Sequence, residues 1–261
     1  MTTTKTKHDV LEETRTKLIA KLQESGWGEV LRLFLHSEDF SKIFDTLYEQ
    51  VAEDKRFTPP LKYVFRAFEQ CPWSKTKVVM IGQDPYFTPG VADGIAFSCG
   101  LTGKAQPSLK YMFNAIDPNV EHNPDLTRWA NQGVLLLNSA LTVQMNKPGT
   151  HYNIWKDFLV YVVDQICSKK DDVLFVLLGK QAETFKEYIE EPFMSTGTNK
   201  VMVVSHPASA AYQKAREWKD GHIFKDINNH LIAIGKRKGG KAAKSRGPKD
   251  MKVSKYRGQG R

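Results

Sequence analysis

Asp84 stands in the loop of the sequence that is best suited to chemistry. This loop, Gly82–Gly90, contains two prolines and two glycines, which specify a rigid and tightly turned backbone. A carboxylate held there, beside Gln83 and Tyr86, could orient a water molecule or stabilise a cation. The alternative is that Asp84 only caps the turn.

Three further side chains have both a chemical and a structural interpretation. Asn138 interrupts the apolar run Val134–Val143, where an unpaired amide would be costly to bury. It is either a structural amide or a reader of a pyrimidine base, because an amide offers a donor beside an acceptor. His206 follows the last apolar run and is either structural or an electrophile opposite Asp84. Phe97 is either a core residue or a stacking platform.

Apolar runs that alternate with helical patterns position these residues. Such a sequence indicates a parallel sheet covered on both faces. The predicted fold class is α/β, a three-layer α/β/α domain with a central four-stranded parallel sheet. Ligands of such folds bind beyond the carboxyl ends of the strands, where Asp84 and His206 stand. The predicted strands are Lys77–Gly82, Val134–Val143, Val173–Gly179 and Lys200–Ser205.

The predicted helices form the outer layers. They span residues 8–24, 38–52, 61–70, 108–116, 126–131, 154–168, 180–190 and 222–233. Between the first two helices, Leu31, Leu33, Phe34 and Leu35 are predicted to be core contacts.

The positive charge is concentrated at the carboxyl end of the chain. Residues 236–261 hold eleven Lys and Arg and one acid, whereas the whole chain has a net charge of +9. With so few apolar residues, this segment is predicted to be a disordered basic tail. It is either a solvated end, a DNA tether that contacts phosphates, or part of a nuclear-import patch.

Several classes of protein are excluded by composition. No run approaches 18 apolar residues, and residues 1–9 lack the apolar stretch of a secretory signal. Cys71, Cys99 and Cys167 have no metal-ligand spacing, so they predict buried thiols in a reducing, intracellular compartment and no metal site. We expect the cytoplasm of a bacterium or virus-infected host, or the nucleus in a eukaryote. A small-molecule α/β hydrolase would need a nucleophile elbow, which is absent.

Several motifs, in their order along the chain, resemble family 1 uracil-DNA glycosylases. The similarity spans roughly residues 26–234 and is carried by GQDPY (82–86), GIAFS (94–98), PSL (107–109), LLLNSALTV (135–143) and HP (206–207). The resemblance implies a monofunctional enzyme of base excision repair. Such an enzyme flips deoxyuridine from DNA and hydrolyses the N-glycosidic bond, without metal or cofactor, to give uracil and an abasic site.

The resemblance also implies a role for each matched residue. Asp84 would assist the attacking water and stabilise the sugar cation. His206 would donate a hydrogen bond to uracil O2, which suits a neutral imidazole and therefore a lowered pKa. The uracil-binding residues would be Gln83, Tyr86 (which rejects the methyl group of thymine), Phe97 (which stacks on the base) and Asn138 (which reads its edge).

A second set of residues would contact DNA. The resemblance assigns this role to Pro107, Ser108, Pro207, Ser209, Ala210 and Tyr212. Here the chain departs from the family, because Ala208 replaces a phosphate-binding Ser and Ala210 replaces a Leu that wedges into the base stack. Phe87 likewise replaces a His. We expect weaker flipping from duplex DNA and a preference for single strands, unless Tyr212 acts as the wedge.

The expected organisation is an N-terminal helical arm (1–25), a uracil-DNA glycosylase domain (26–235) and the basic tail (236–261). The expected partners are single- and double-stranded DNA that contains uracil, and uracil-glycosylase inhibitor proteins. The chain is expected to be a monomer without membrane association. The altered loop after His206 leaves an alternative open, a weakly active or inactive DNA-binding or replication accessory protein on the same scaffold.

Overall fold

A computed structural model describes residues 7–190 and 198–238, and its six strands form two sheets. One is a four-stranded parallel sheet of order β3-β2-β5-β6, and the other is the antiparallel pair β1-β4. The strands are β1 (Phe57–Thr58), β2 (Val78–Gly82), β3 (Val134–Asn138), β4 (Val143–Gln144), β5 (Leu174–Leu178) and β6 (Lys200–Val204).

Helices precede, separate and follow these strands. They are α1 (Lys7–Glu24), α2 (Trp27–Val30), α3 (Arg32–Leu35), α4 (Glu38–Ala52), α5 (Arg66–Gln70), α6 (Pro107–Ile116), α7 (Thr127–Asn131), α8 (Tyr152–Lys169), α9 (Lys180–Glu183), α10 (Lys186–Glu190), α11 (Pro207–Tyr212) and α12 (Ile223–Lys238). Short 3-10 turns cover Leu61–Tyr63 and Trp73–Lys75.

The central sheet is buried because helices flank it. Every residue of β2, β3 and β5 is buried, as expected for strands covered on both faces. The predicted three-layer α/β/α class is therefore confirmed. After β2, the chain pairs β3 on one side of that strand and β5 on the other. This reversal opens a crevice beyond the carboxyl end of β2, where Gln83 and Asp84 begin.

The predicted strand Val134–Val143 was too long. β3 ends at Asn138, because its neighbour β2 ends at Gly82 and offers no further ladder. The next amides bond to loop carbonyls instead, Ser139 N–H to Gly82 O at 2.9 Å and Ala140 N–H to Gln83 O at 3.3 Å. Only the last residue of the predicted strand, Val143, belongs to β4 and the small sheet.

Some predicted helices have different limits. The helix predicted over residues 61–70 is a 3-10 turn followed by α5, because the Ala67 N–H bonds to Gly94 O (3.2 Å) outside the helix. The helix predicted over residues 180–190 is divided into α9 and α10. Helix α12 continues to Lys238, and residues 239–261 of the predicted tail lie outside the described part of the chain.

The predicted core contacts near α3 are confirmed in part. Leu31 and Leu35 are buried and Phe34 is half-buried, but Leu33 is 75% exposed. The prediction for Leu33 was wrong because the single turn of α3 directs this side chain away from its apolar neighbours. The helices described within residues 7–190 and 198–238 include none that is both long and apolar enough to cross a membrane.

Helix α1 is packed onto the rest of the molecule. Leu18 and Leu22 are buried in the main apolar core, and Lys21 pairs with Glu69 of α5 at 3.0 Å. The division of the chain at residues 25 and 235 stays a prediction. Its amino-terminal limit can be tested through the stability that α1 contributes.

We expect Leu22→Ala to lower the free energy of unfolding by about 2–5 kcal/mol, because it removes a fully buried side chain and leaves a cavity. The matched change Leu33→Ala, on an exposed side chain, should alter it by less than about 0.5 kcal/mol. Urea unfolding followed by circular dichroism measures both. Equal small effects would show that α1 is a detachable arm.

Candidate active site

The Asp84 carboxylate is held by a loop distant in sequence. The Gly149 N–H donates to Asp84 Oδ2 at 2.8 Å, and the Gln83 amide donates to the same oxygen at 3.4 Å. Among the described residues, Oδ1 is left for another partner such as water. Burial raises the pKa of Asp84, and the bonds from Gly149 and Gln83 partly oppose this shift. A partly buried carboxylate of this kind is suited to accept a proton.

A buried polar cluster anchors the loop that carries Gly149. The His151 Nδ1 lies 2.8 Å from Thr142 Oγ1, and the Trp155 indole N–H donates to the same hydroxyl at 2.7 Å. Burial lowers the pKa of His151 to about 4, so this imidazole is neutral at physiological pH. The loop that donates the Gly149 N–H to Asp84 is thus held in place by hydrogen bonds inside the core.

Asn138 ends β3 directly opposite the last residue of β2. Gly82 pairs with it in register, and a Cβ atom at position 82 would lie 2.8 Å from Asn138 Oδ1 and 2.9 Å from Phe97 Cζ. Only glycine allows this close approach. Asn138 is 8% exposed, so its side chain is largely removed from water.

Phe97 connects the other candidate residues. Its backbone has a φ of 65°, which is unusual for a residue with a side chain, and the ring is 7% exposed. The Tyr86 hydroxyl donates to the Phe97 carbonyl at 3.1 Å, and the His206 ring lies 5.5 Å from the Phe97 ring. Pro85, Tyr86, Phe97 and Asn138 also line one small cavity. Asp84 and His206 do not line this cavity. Asp84 lies next to it because it directly precedes Pro85, and His206 lies next to it because its ring neighbours the Phe97 ring.

The geometry of His206 fixes which nitrogen carries its proton. His206 is the N-cap of α11, and the Ala208 N–H donates to its Nδ1 at 3.1 Å. Nδ1 is therefore an acceptor, and a neutral ring must carry its hydrogen on Nε2. Burial lowers the pKa of His206 to about 4, which is the direction predicted for it. The site thus presents a neutral N–H donor.

The residues predicted to contact DNA lie on two helices packed together, α6 and α11. Pro107 is exposed at the first turn of α6, whereas Ser108 is buried. On α11, the Ser209 hydroxyl donates to the His206 carbonyl at 2.7 Å. Pro207 is buried and Ala210 is 4% exposed, so they offer little surface, but Tyr212 is 83% exposed.

The segment after α11 is tied back to the end of β6. Ser205 donates to Asp220 Oδ2 from its N–H, at 2.7 Å, and from its hydroxyl. The Trp218 indole donates to Ser205 Oγ at 3.0 Å. The segment Tyr212–Asp220 is therefore anchored at its far end. Nothing in the structure explains Phe87, which is exposed.

Sequence reasoning missed the contact from Gly149 to Asp84 and the anchor at Asp220. The Pro148-Gly149 turn was the available signal for the first, but it does not reveal a partner. The three cysteines are free and buried, as predicted. Within the part of the chain that the structure describes, no three His, Cys, Asp or Glu side chains are grouped as metal ligands.

The fold and the site define a doubly wound α/β protein. Its site lies at the carboxyl edge of the sheet and combines polar side chains with the aromatic rings of Tyr86 and Phe97. Comparison with known proteins then identifies the family. The family model described as the uracil DNA glycosylase superfamily matches residues 68–232. A uracil-DNA glycosylase of Acinetobacter baylyi is 33% identical over 231 residues, covering 86% of this chain and 95% of that protein. One of Amoebophilus asiaticus is 35% identical over 210 residues, covering 76% and 91%.

The fold is also found in a solved structure. The crystal structure of mimivirus uracil-DNA glycosylase matches with a TM-score of 0.69 at 21% identity, covering 80% of this chain and 83% of that one. A mimivirus variant crystallised in complex with UGI matches with a TM-score of 0.70 at 22% identity, covering 80% and 84%. This chain belongs to the uracil-DNA glycosylase superfamily, as its motifs predicted.

We expect the His206 imidazole to stay neutral at pH 5.5, where an ordinary histidine of pKa 6.5 would be mostly protonated. The pKa is depressed, so protonation begins only as the pH falls toward about 4. Ring nitrogen chemical shifts measured between pH 4 and 8 test this, with His206→Gln to assign the signals. A ring already protonated at pH 5.5 would contradict the hydrogen-bonding scheme.

Proposed function

We propose that this chain is a monofunctional uracil-DNA glycosylase of base excision repair. It flips deoxyuridine out of DNA and hydrolyses the base–sugar bond, which releases uracil and leaves an abasic site. The observation that carries the proposal is the grouping of a carboxylate, an amide and a neutral imidazole donor at one edge of the sheet. Membership of the superfamily supports the same activity.

Asp84 and His206 act on opposite poles of the breaking bond. Cleavage leaves positive charge on the sugar and negative charge on the base. The Asp84 carboxylate stabilises the sugar cation and accepts a proton from the attacking water. The His206 Nε2–H donates to uracil O2 as negative charge grows there, and neither interaction requires a covalent intermediate.

The remaining pocket residues select the base. Asn138 offers an acceptor to N3–H and a donor to O4 of uracil. Phe97 stacks on the ring, Tyr86 stands against C5, where thymine carries a methyl group, and Gln83 completes the loop. None of these positions is Lys, the usual nucleophile of glycosylases that also cut the strand.

The DNA itself is bound outside the pocket. Pro107 and Ser209 form the surface that approaches the backbone, and the buried Ser108, Pro207 and Ala210 pack beneath it. Tyr212 is the wedge that fills the gap left by the flipped base, since its ring is exposed and the Ala210 methyl group is buried.

The partners are single- and double-stranded DNA that contains uracil. Proteins like UGI are further partners, because a relative of the same fold is crystallised with UGI. The basic tail adds non-specific affinity through phosphates. The chain acts as a monomer in a reducing, intracellular compartment, which suits its free, buried thiols.

We expect Asp84→Asn to lower the rate of uracil release by about 100- to 10,000-fold, because a neutral amide neither stabilises the cation nor accepts a proton. Asn138→Ala should lower it by about 100- to 1,000-fold. The assay measures free uracil from a single-stranded oligonucleotide. Asp45→Asn, an exposed acid on α4, is the control and should be fully active. No uracil release by the wild type would exclude the proposed activity.

We expect Tyr212→Ala to reduce cleavage of duplex substrate by about 10- to 100-fold, since unstacking then goes uncompensated. Cleavage of single strands should change less than about 2-fold, because no stack must be opened. Tyr212→Phe keeps the ring and should resemble the wild type. An unaltered ratio of duplex to single-strand rates in Tyr212→Ala would exclude this residue as the wedge.

A further inference from the structure

Asp93 is a fully buried carboxylate close to the proposed stacking residue, and the proposed function gives it no role. Its Oδ1 accepts the Ile95 N–H at 3.1 Å. Its Oδ2 accepts the Ser98 hydroxyl at 2.6 Å and the Gly100 N–H at 2.9 Å. These three donors stand on both sides of Phe97 in sequence. The carboxylate of Asp93 therefore holds the backbone on both sides of Phe97 by hydrogen bonds.

The Asp93 carboxylate is paired with the guanidinium of Arg66, which it shares with Asp125. Arg66 Nη1 lies 2.7 Å from Asp93 Oδ2, and its Nη2 donates to Thr127 Oγ1 at 2.7 Å. Burying a carboxylate is costly unless it is paired and hydrogen-bonded, and Asp93 meets both conditions. The Ser98 hydroxyl also accepts the Leu126 N–H at 3.1 Å, which links the platform loop to the segment before α7.

The three hydrogen bonds to Asp93 maintain an unfavourable backbone conformation at Phe97. Phe97 has a φ of 65°, a conformation that persists only where the surroundings determine it. Gly100 shows how closely the carboxylate is enclosed, since a Cβ there would lie 2.8 Å from Asp93 Oδ2. Without the three bonds from Asp93, the loop has less reason to keep Phe97 beside Asn138 and His206.

We propose that Asp93 is a positioning residue for base recognition, which holds the Phe97 ring in the plane that a flipped uracil stacks on. The proposal rests on the proposed role of Phe97. Asp93 never contacts the substrate, and its effect passes through the backbone of residues 95–100. The class of ligand is a planar pyrimidine, so free uracil reports the position of the platform directly.

Asp93→Asn is the informative variant. The new amide oxygen can still accept the Ile95 N–H, but its NH2 group faces the Gly100 N–H and Arg66, which are donors. We expect kcat/KM on single-stranded substrate to fall about 10- to 100-fold, since small displacements in a site have effects of this size. The inhibition constant of free uracil should rise in parallel, while affinity for DNA with an abasic site stays unchanged.

Two variants separate positioning from general destabilisation. Asp125→Asn alters the other acidic partner of Arg66, a carboxylate that accepts from Thr127 and Arg66 and not from residues 95–100, and should lower Tm with kcat/KM retained. Ser98→Ala removes one of the three bonds to Asp93 and also the bond from the Leu126 N–H, but it keeps the Asp93–Arg66 pair, and it should reduce kcat/KM by about 3- to 10-fold. All rates are measured well below the lowest Tm of the set.

A double-mutant cycle with Phe97→Leu provides the decisive comparison. If Asp93 acts through Phe97, then Asp93→Asn should change kcat/KM less than about 2-fold in the Phe97→Leu background. Ser98→Ala replaces Asp93→Asn in the cycle if the latter does not fold. Independent, multiplying effects would overturn the proposal, as would normal kinetics with a lowered Tm. An inhibition constant of free uracil that is unchanged in Phe97→Leu would contradict the stacking role of Phe97, and the proposal for Asp93 would then fail as well.

Discussion

The parallel pairing of β2 with β3 is the interaction on which the site depends. Gly82 and Asn138 are partners in this ladder and are also the last residues of their strands. The loop that carries Asp84 therefore leaves the sheet beside the Asn138 amide. A slip of one residue would turn Asn138 to the opposite face of the sheet, away from Phe97. Register, more than any single side-chain bond, brings the carboxylate and the amide into one neighbourhood.

The sequence was sufficient for the sheet because buried parallel strands have a simple pattern. Each of β2, β3, β5 and β6 lies within a predicted apolar run. The pattern failed where loops satisfy backbone groups, as at Ala67, whose N–H bonds to Gly94 rather than within a longer helix. It also failed at Leu33, because a short apolar run does not show which of its members faces outward.

The site was predictable in its residue types but not in its supports. The motifs placed Asp84, Asn138 and His206 at strand ends, and the structure agrees. The bond from Gly149 to Asp84 joins residues 65 positions apart, and no local pattern encodes such a contact. Asp93 was missed for the same reason, since its partner Arg66 lies in a different element. Only the folded chain shows which polar groups complete one another.

The two parts of the site differ in how firmly the fold holds them. Phe97, Asn138 and His206 are fixed by the sheet, by buried hydrogen bonds and by the start of α11, so exchanging one of them disturbs the others. Tyr212 lies at the exposed end of α11, where a side chain can change without disturbing the pocket. In the proposed function, base selection and base displacement therefore belong to structurally separable parts of the chain, and the proposed wedge could vary while the pocket stays intact.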